Sequence, residues 1–298
     1  MSHHCLACDE IIVKDRTVKD GTGPALRFTS RFQGPPGLAN GGVVVGALAC
    51  VARTRSELAD PAVVSLVARL HRGVPQGRDL PVRTRLDPDG LIELTLADGE
   101  DLIATGAVRV VDTAVQRNGL EPTLFGPERL EPLVDLASPT AAQLDAAARI
   151  EVRPKPVPNP FDHCFVCGPA NPGGLQVAAA PMTRTTAWAL NPRASSFAEP
   201  DGRLDTVVAL ASMDCPSVPS FMSGGIMAED ESALLGSFEA ELIRWAPAQV
   251  EGGYRLPSRF WRRDGRRVYA DIALVDGPGT VYAMATATWI TVPVPTPA

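Results

Sequence analysis

The sequence predicts an α+β fold in which helices lie on antiparallel strands, and three observations predict it. Each half of the chain holds one apolar helical segment, at residues 41–58 and 204–215. Runs rich in β-branched residues follow each segment, separated by turn signals such as Asp87-Pro88-Asp89-Gly90 and Asp276-Gly277-Pro278-Gly279. Both halves take this course in the same order. One helix among consecutive strands buries its apolar face by lying on the sheet they form.

An internal repeat sets the organisation. His4-Cys5-Leu6-Ala7-Cys8 returns 159 positions later as His163-Cys164-Phe165-Val166-Cys167. Phe32-Gln33-Gly34-Pro35-Pro36-Gly37 returns 165 positions later as Phe197-Ala198-Glu199-Pro200-Asp201-Gly202. At the second offset Cys50 falls on Cys215, so all six cysteines pair off between the halves. Chance accounts for one such match but not for three in one order.

The first half is expected to place strands at 25–32, 63–72, 80–87, 91–97 and 102–111. The second is expected to place them at 185–190, 235–245, 254–262, 267–275 and 281–292. A Pro-rich connector, residues 112–160, joins the halves. It should carry a short helix at 141–150, capped near Ser138 or Thr140, and an extended stretch from Val152 to Pro160 with four prolines. The expected divisions are therefore 1–111, 112–160 and 161–298.

Composition narrows the function. The 298 residues are 45% hydrophobic, enough for a sizeable core. Net charge is −6 and the pI is near 5.3, so no nucleic-acid partner is expected. No run approaches the roughly 18 apolar residues of a membrane span. The N-terminus lacks the charged and apolar regions of a signal peptide, which leads to the expectation of a cytoplasmic protein. In that setting the cysteines read as reduced thiols or metal ligands.

The stretch from Phe32 through Asn40-Gly41-Gly42 resembles the hallmark of hotdog-fold thioesterases of the PaaI-like type, F-x-G-x-x-G-x-x-H-G-G followed by a helix carrying L-L-D-E. Cys164 to Leu175 resembles a C-F-x-C-G-x-x-N-P-x-G-L motif found in some members. The resemblance covers both halves but not the connector. It implies a tandem double hotdog: two long helices, each wrapped by a curled antiparallel sheet, with the sheets joined across an intramolecular pseudo-dimer. It also implies sites at the interface that draw on both units, and an acyl thioester such as acyl-CoA as substrate. No cofactor is expected beyond the coenzyme A of the substrate. A homodimer of double hotdogs is the assembly left open.

Comparing the halves locates the candidate site. Asn40 aligns with Asp205 and Ala49 with Asp214. The first half keeps Asn40-Gly41-Gly42 but has Ala49-Cys50 where the pattern expects acids. The second keeps the acid, Asp214, but has Asp205-Thr206-Val207 in place of the glycines. The losses are complementary, so one composite site and one vestigial site are expected. Backbone N–H groups at Gly41 and Gly42 would stabilise an oxyanion. Asn40 would donate or orient, and Asp214 would act as general base or as nucleophile. Gly37, Ser217 and Arg259 are the substrate-binding candidates, Arg259 for its place in an arginine cluster suited to phosphates. The plainer alternative makes Gly41 and Gly42 packing glycines and Asn40 an N-cap.

Two CxxC pairs, Cys5/Cys8 and Cys164/Cys167, offer four thiolates for zinc if the two loops meet. Buried structural thiols are the competing reading. His71 is expected in a strand with a structural role. The absence of His at either HGG-equivalent position argues against dehydratase or lyase chemistry. A non-catalytic acyl-CoA or lipid-binding protein is the other alternative.

Overall fold

Strand burial follows the two-residue period of a sheet with one face packed. In β5 (Leu91–Asp98) and β8 (Thr186–Asn191) buried and half-buried side chains alternate. The computed structural model describes residues 5–13, 24–88, 90–117, 119–120, 125, 127–147, 159–222 and 225–294. The expected Val152 to Pro160 linker falls almost wholly outside these, as do His3 and His4.

The first half runs α1 (Leu6–Glu10), β1 (Ile12–Val13), β2 (Ala25–Leu26), α2 (Gly41–Arg55), β3 (Pro61–Leu70), β4 (Leu80–Leu86), β5 and β6 (Asp101–Asp112). Then come α3 (Thr113–Arg117), α4 (Pro127–Ala137) and α5 (Ala141–Ala147). The second half runs β7 (Ala178–Pro181), β8, α6 (Thr206–Ser212), α7 (Pro219–Met222), β9 (Glu231–Leu242), β10 (Tyr254–Arg255), β11 (Ser258–Asp264), β12 (Arg267–Val275) and β13 (Val281–Pro293). The strands form one 13-stranded sheet in which every described pair is antiparallel. β3 and β9 join the two halves edge to edge, from Ser65 opposite Glu241 to Arg69 opposite Ser237. The expected α+β class is what the chain adopts.

Helix α2 is buried from Gly42 to Arg53. A helix apolar on all sides needs neighbours on all sides, and α2 finds them in strands of both halves and in α6. The helices approach closely. A Cβ added at Gly46 would lie 2.6 Å from Val207 Cα, and one added at Gly42 would lie 2.8 Å from Ala211 Cα. The two FxxPxG motifs flank a shared aromatic contact: Phe165 packs on Phe32 at 5.2 Å and on Phe197 at 6.1 Å between ring centroids.

Four expectations are corrected. The second helix is not long: α6 ends at Ser212, and the chain turns through a 3-10 segment, Cys215–Ser217, before α7. Pro216 lacks an amide hydrogen and disfavours helical backbone in the residue before it. The expected strand at 25–32 shrinks to Ala25–Leu26, and Ser30–Phe32 forms a 3-10 turn. The strand at 254–262 divides into β10 and β11 around Leu256-Pro257. The connector holds a helix the sequence did not reveal. Around α4, Leu133 and Ala137 pack with Ala273, Val275 and Met284, while Arg129 forks onto the buried Asp271 carboxylate.

Substituting Gly46 with Ala should force α2 away from α6 and cost about 1–3 kcal/mol. Urea unfolding should show a lower midpoint with an unchanged slope.

Candidate active site

Asn40 caps α2: its side-chain oxygen accepts from the Val43 amide at 3.0 Å. The other end of the same amide, Nδ2, donates to Asp214 Oδ2 at 2.9 Å. The Gly42 N–H donates to that same oxygen at 2.9 Å. The two elements taken from different halves are thus brought into direct contact. Gly42 permits it, because a Cβ there would lie 2.7 Å from Asp214 Cβ. Asp214 itself stands at the break after α6, with φ −76° and ψ −90°.

The arrangement modifies the expected roles. Asn40 spends its oxygen on the cap and its Nδ2 on Asp214. The Gly42 N–H is committed to the carboxylate and is not free for an oxyanion. The Gly41 N–H has no acceptor among the described residues. Gly41 lines a cleft of about 190 Å³ between the halves, walled by Leu38, Leu70 and Val74 on one side and Leu235, Ile290 and Val292 on the other. His71 and Arg72 stand at this cleft. His71 lies just past β3 rather than within it, with Nε2 3.2 Å from Thr105 Oγ1. The expected structural role of His71 rested on its being a single histidine without a motif; the structure places it at the rim of the cleft.

Asp214 is 2% exposed, and its Oδ1 has no hydrogen-bond partner among the described residues. Burial pushes its carboxyl up to about 7, against the pull of the Gly42 N–H and the Asn40 amide. Asp205 is raised to about 7 as well, again chiefly by burial. The shift alone therefore does not single out Asp214.

The other candidates are placed as follows. Ser217 is fully buried, donating to the Asp214 carbonyl at 3.0 Å and accepting from Trp289 Nε1 at 2.9 Å. Both interactions tie the segment after Asp214 in place. Gly37, at φ +75°, forms the exposed turn Pro35-Pro36-Gly37-Leu38, closed by the Leu38 amide on the Pro35 carbonyl. Arg259 lies opposite Asp271 in the β11–β12 pair. Its neighbour Ser258 bonds the Pro216 carbonyl on the helix side, so the alternation of the strand sends Arg259 to the face away from Asp214. In the rest of the arginine cluster, Arg262 stacks on Trp261 and Tyr269, Arg263 pairs with Glu231, and Arg266 donates to Thr291.

On the opposite side, Asp205 caps α6 through Val207 and Val208 and accepts from the Leu6 amide at 2.7 Å. Ala49 is fully buried and supplies no acid. Near Asp205 the chain buries an ion pair, Arg53 to Glu199 at 2.7 and 3.0 Å, with Arg203 also on Glu199.

The two CxxC pairs do not meet. Cys5 and Cys8 gather with Cys50 of α2, and Cys164 and Cys167 gather with Cys215. A four-thiolate site shared by the two pairs is ruled out by this separation, and the pairs stand instead in two clusters of three, each within its own half. His163 is exposed and outside its cluster. The signal for the third member was the alignment of Cys50 with Cys215.

No family model and no curated protein matches the sequence. Solved structures do. A conserved hot dog fold protein of unknown function from Alicyclobacillus acidocaldarius is 13% identical, with 93% of this chain and 95% of that chain covered and a TM-score of 0.59. The acyl-CoA thioesterase II TesB2 from Mycobacterium marinum is 14% identical, with 95% and 96% covered and a TM-score of 0.56. The dehydratase domain of PpsC from Mycobacterium tuberculosis, in complex with C12:1-CoA, is 13% identical, with 95% and 97% covered and a TM-score of 0.51. The chain has the hotdog fold. No described helix is long and apolar enough to cross a membrane.

Replacing Arg53 with Met should destabilise the protein by about 3–5 kcal/mol, since Glu199 stays buried without its closest cation. Adding Glu199→Gln removes the uncompensated carboxylate and should recover part of the loss in urea unfolding.

Proposed function

We propose that the chain is a double hotdog that hydrolyses an acyl thioester, acyl-CoA being the substrate class, at one composite site between its halves. The observation that carries this is the contact of Asp214 from one half with Asn40 and Gly42 from the other. The doubling is supported by reciprocal contacts. At the 165-residue offset Gly42 corresponds to Val207 and Gly46 to Ala211, and Gly42 meets Ala211 while Gly46 meets Val207. Equivalent positions exchanging contacts in this way are the mark of a twofold interface.

In this reading the acyl chain occupies the apolar cleft beside Gly41, and the Gly41 N–H at the start of α2 polarises the thioester carbonyl. Asp214, held by Asn40 and Gly42 through Oδ2, keeps Oδ1 to orient a water. That water attacks the carbonyl carbon and passes a proton to the carboxylate. The C–S bond then breaks, and the Asp214 carboxyl returns that proton to the departing sulfur, releasing acid and thiol. Asp205 with Ala49 forms the lapsed counterpart.

The near-complete burial of Asp214 favours a second reading, a protein that binds acyl-CoA without turning it over. An acyl-CoA panel from C2 to C16, read by mass spectrometry for free coenzyme A and for enoyl products, separates the two. Hydrolysis that falls at least about 100-fold in Asp214→Asn, and less in Asn40→Ala, is the expected result. Saturable binding without hydrolysis would establish the second reading, and an enoyl product would establish a dehydratase. Turnover unchanged in both variants would remove the composite site.

A further inference from the structure

The six cysteines form two clusters that the proposed chemistry does not use. In the first, Cys5 Sγ lies 2.8 Å and Cys8 Sγ 3.5 Å from Cys50 Sγ. In the second, Cys164 Sγ lies 3.7 Å from Cys215 Sγ, with Cys167 completing the group. All three sulfurs of each cluster lie within 4.8 Å of one another, and none is in a disulfide. Four ligands arranged tetrahedrally at a Zn–S distance of about 2.3 Å put sulfurs roughly 3.8 Å apart. Two of the distances sit close to that spacing, and the Cys5–Cys50 contact is tighter.

Donors surround the sulfurs. The Cys8 amide donates to Cys5 Sγ at 3.2 Å, the turn by which a CxxC segment points two thiols to one side. The Asn40 amide lies 3.7 Å from Cys164 Sγ and 3.6 Å from Cys215 Sγ. The first cluster instead has the Arg53 guanidinium close by; it is 1% exposed, and its Nε and Nη2 lack partners among the described residues. N–H donors and a buried cation favour thiolate over thiol. Simple packing of small thiols calls for neither the donors nor the convergence of three sulfurs. It also gives no reason for the arrangement to be built twice, by residues at matching positions of a diverged repeat.

We propose that each half binds one zinc ion through its three cysteines, Cys5, Cys8 and Cys50 in the first and Cys164, Cys167 and Cys215 in the second. Soft thiolates at this spacing select zinc over oxygen-seeking cations. Binding displaces the thiol protons to solvent and ties the N-terminal loop of the first half to α2 and that of the second to the segment after α6. Three sulfurs leave a fourth position for a lighter ligand. Neither site depends on whether the chain hydrolyses thioesters.

The test is the metal content of the full chain, expressed with zinc and purified without chelators. About two zinc ions per chain are expected, with X-ray absorption showing three sulfurs at about 2.3 Å and one lighter atom. Cys8→Ser and Cys167→Ser should each lower the content by one. Should either variant fail to fold, the wild-type stoichiometry and absorption spectrum still decide. One equivalent or less in the wild type, six freely titrating thiols in the native chain, an intracluster disulfide, or content unchanged in both variants would overturn the proposal.

Discussion

The close crossing of α2 and α6 governs what the rest of the molecule can do. Two residues without side chains, Gly42 and Gly46, let backbone of one helix meet backbone of the other. A Cβ at Gly42 would lie 2.7 Å from Asp214 Cβ, so a side chain there would push Asp214 away from the Gly42 amide. Because the helices cross tightly, the N-cap of each helix also lies against the cysteine cluster of the opposite half. Asn40 meets Cys164 and Cys215, and Asp205 accepts from the amide beside Cys5. The Asp214 contact and the placement of each N-cap against the opposite thiol cluster both depend on this packing geometry.

That geometry imposes a polar cost, and the two sides meet it differently. On the Asp214 side a carboxylate is held by two donors and keeps one oxygen without a partner among the described residues. On the other side Asp205 is satisfied by three backbone amides, and a buried Arg53–Glu199 pair stands close by. A fully bonded carboxylate serves structure, while a partly bonded one has capacity left for a ligand or a water. The asymmetry between the halves is therefore chemical as well as positional.

Much of this was legible beforehand, for specific reasons. Strand β12 runs at residues 267–275 as expected, because turn residues bound it on both sides, Asp264-Gly265 and Asp276-Gly277. The meeting of Asn40-Gly41-Gly42 with Asp214 followed from complementary losses across the repeat. Helix α4 was missed because Pro132 lies within it and its surroundings are Pro-rich; the sheet it packs on holds it in place. The second helix was drawn too long because its apolar residues continue past Ser212, while Pro216 ends the hydrogen-bonding pattern.

The sequence by itself determined the fold class, the order of elements and the identity of the residues that form the composite contact, since periodicity and repeat are properties of the chain. Only the tertiary structure decided which hydrogen bonds those residues keep. It committed Gly42 and Asn40 to Asp214, left Gly41 lining the cleft, and turned two CxxC pairs into two separate trios. Donor commitment depends on distances between segments 172 and 174 residues apart, and sulfur grouping on segments 42 to 51 residues apart; only the folded chain sets those distances.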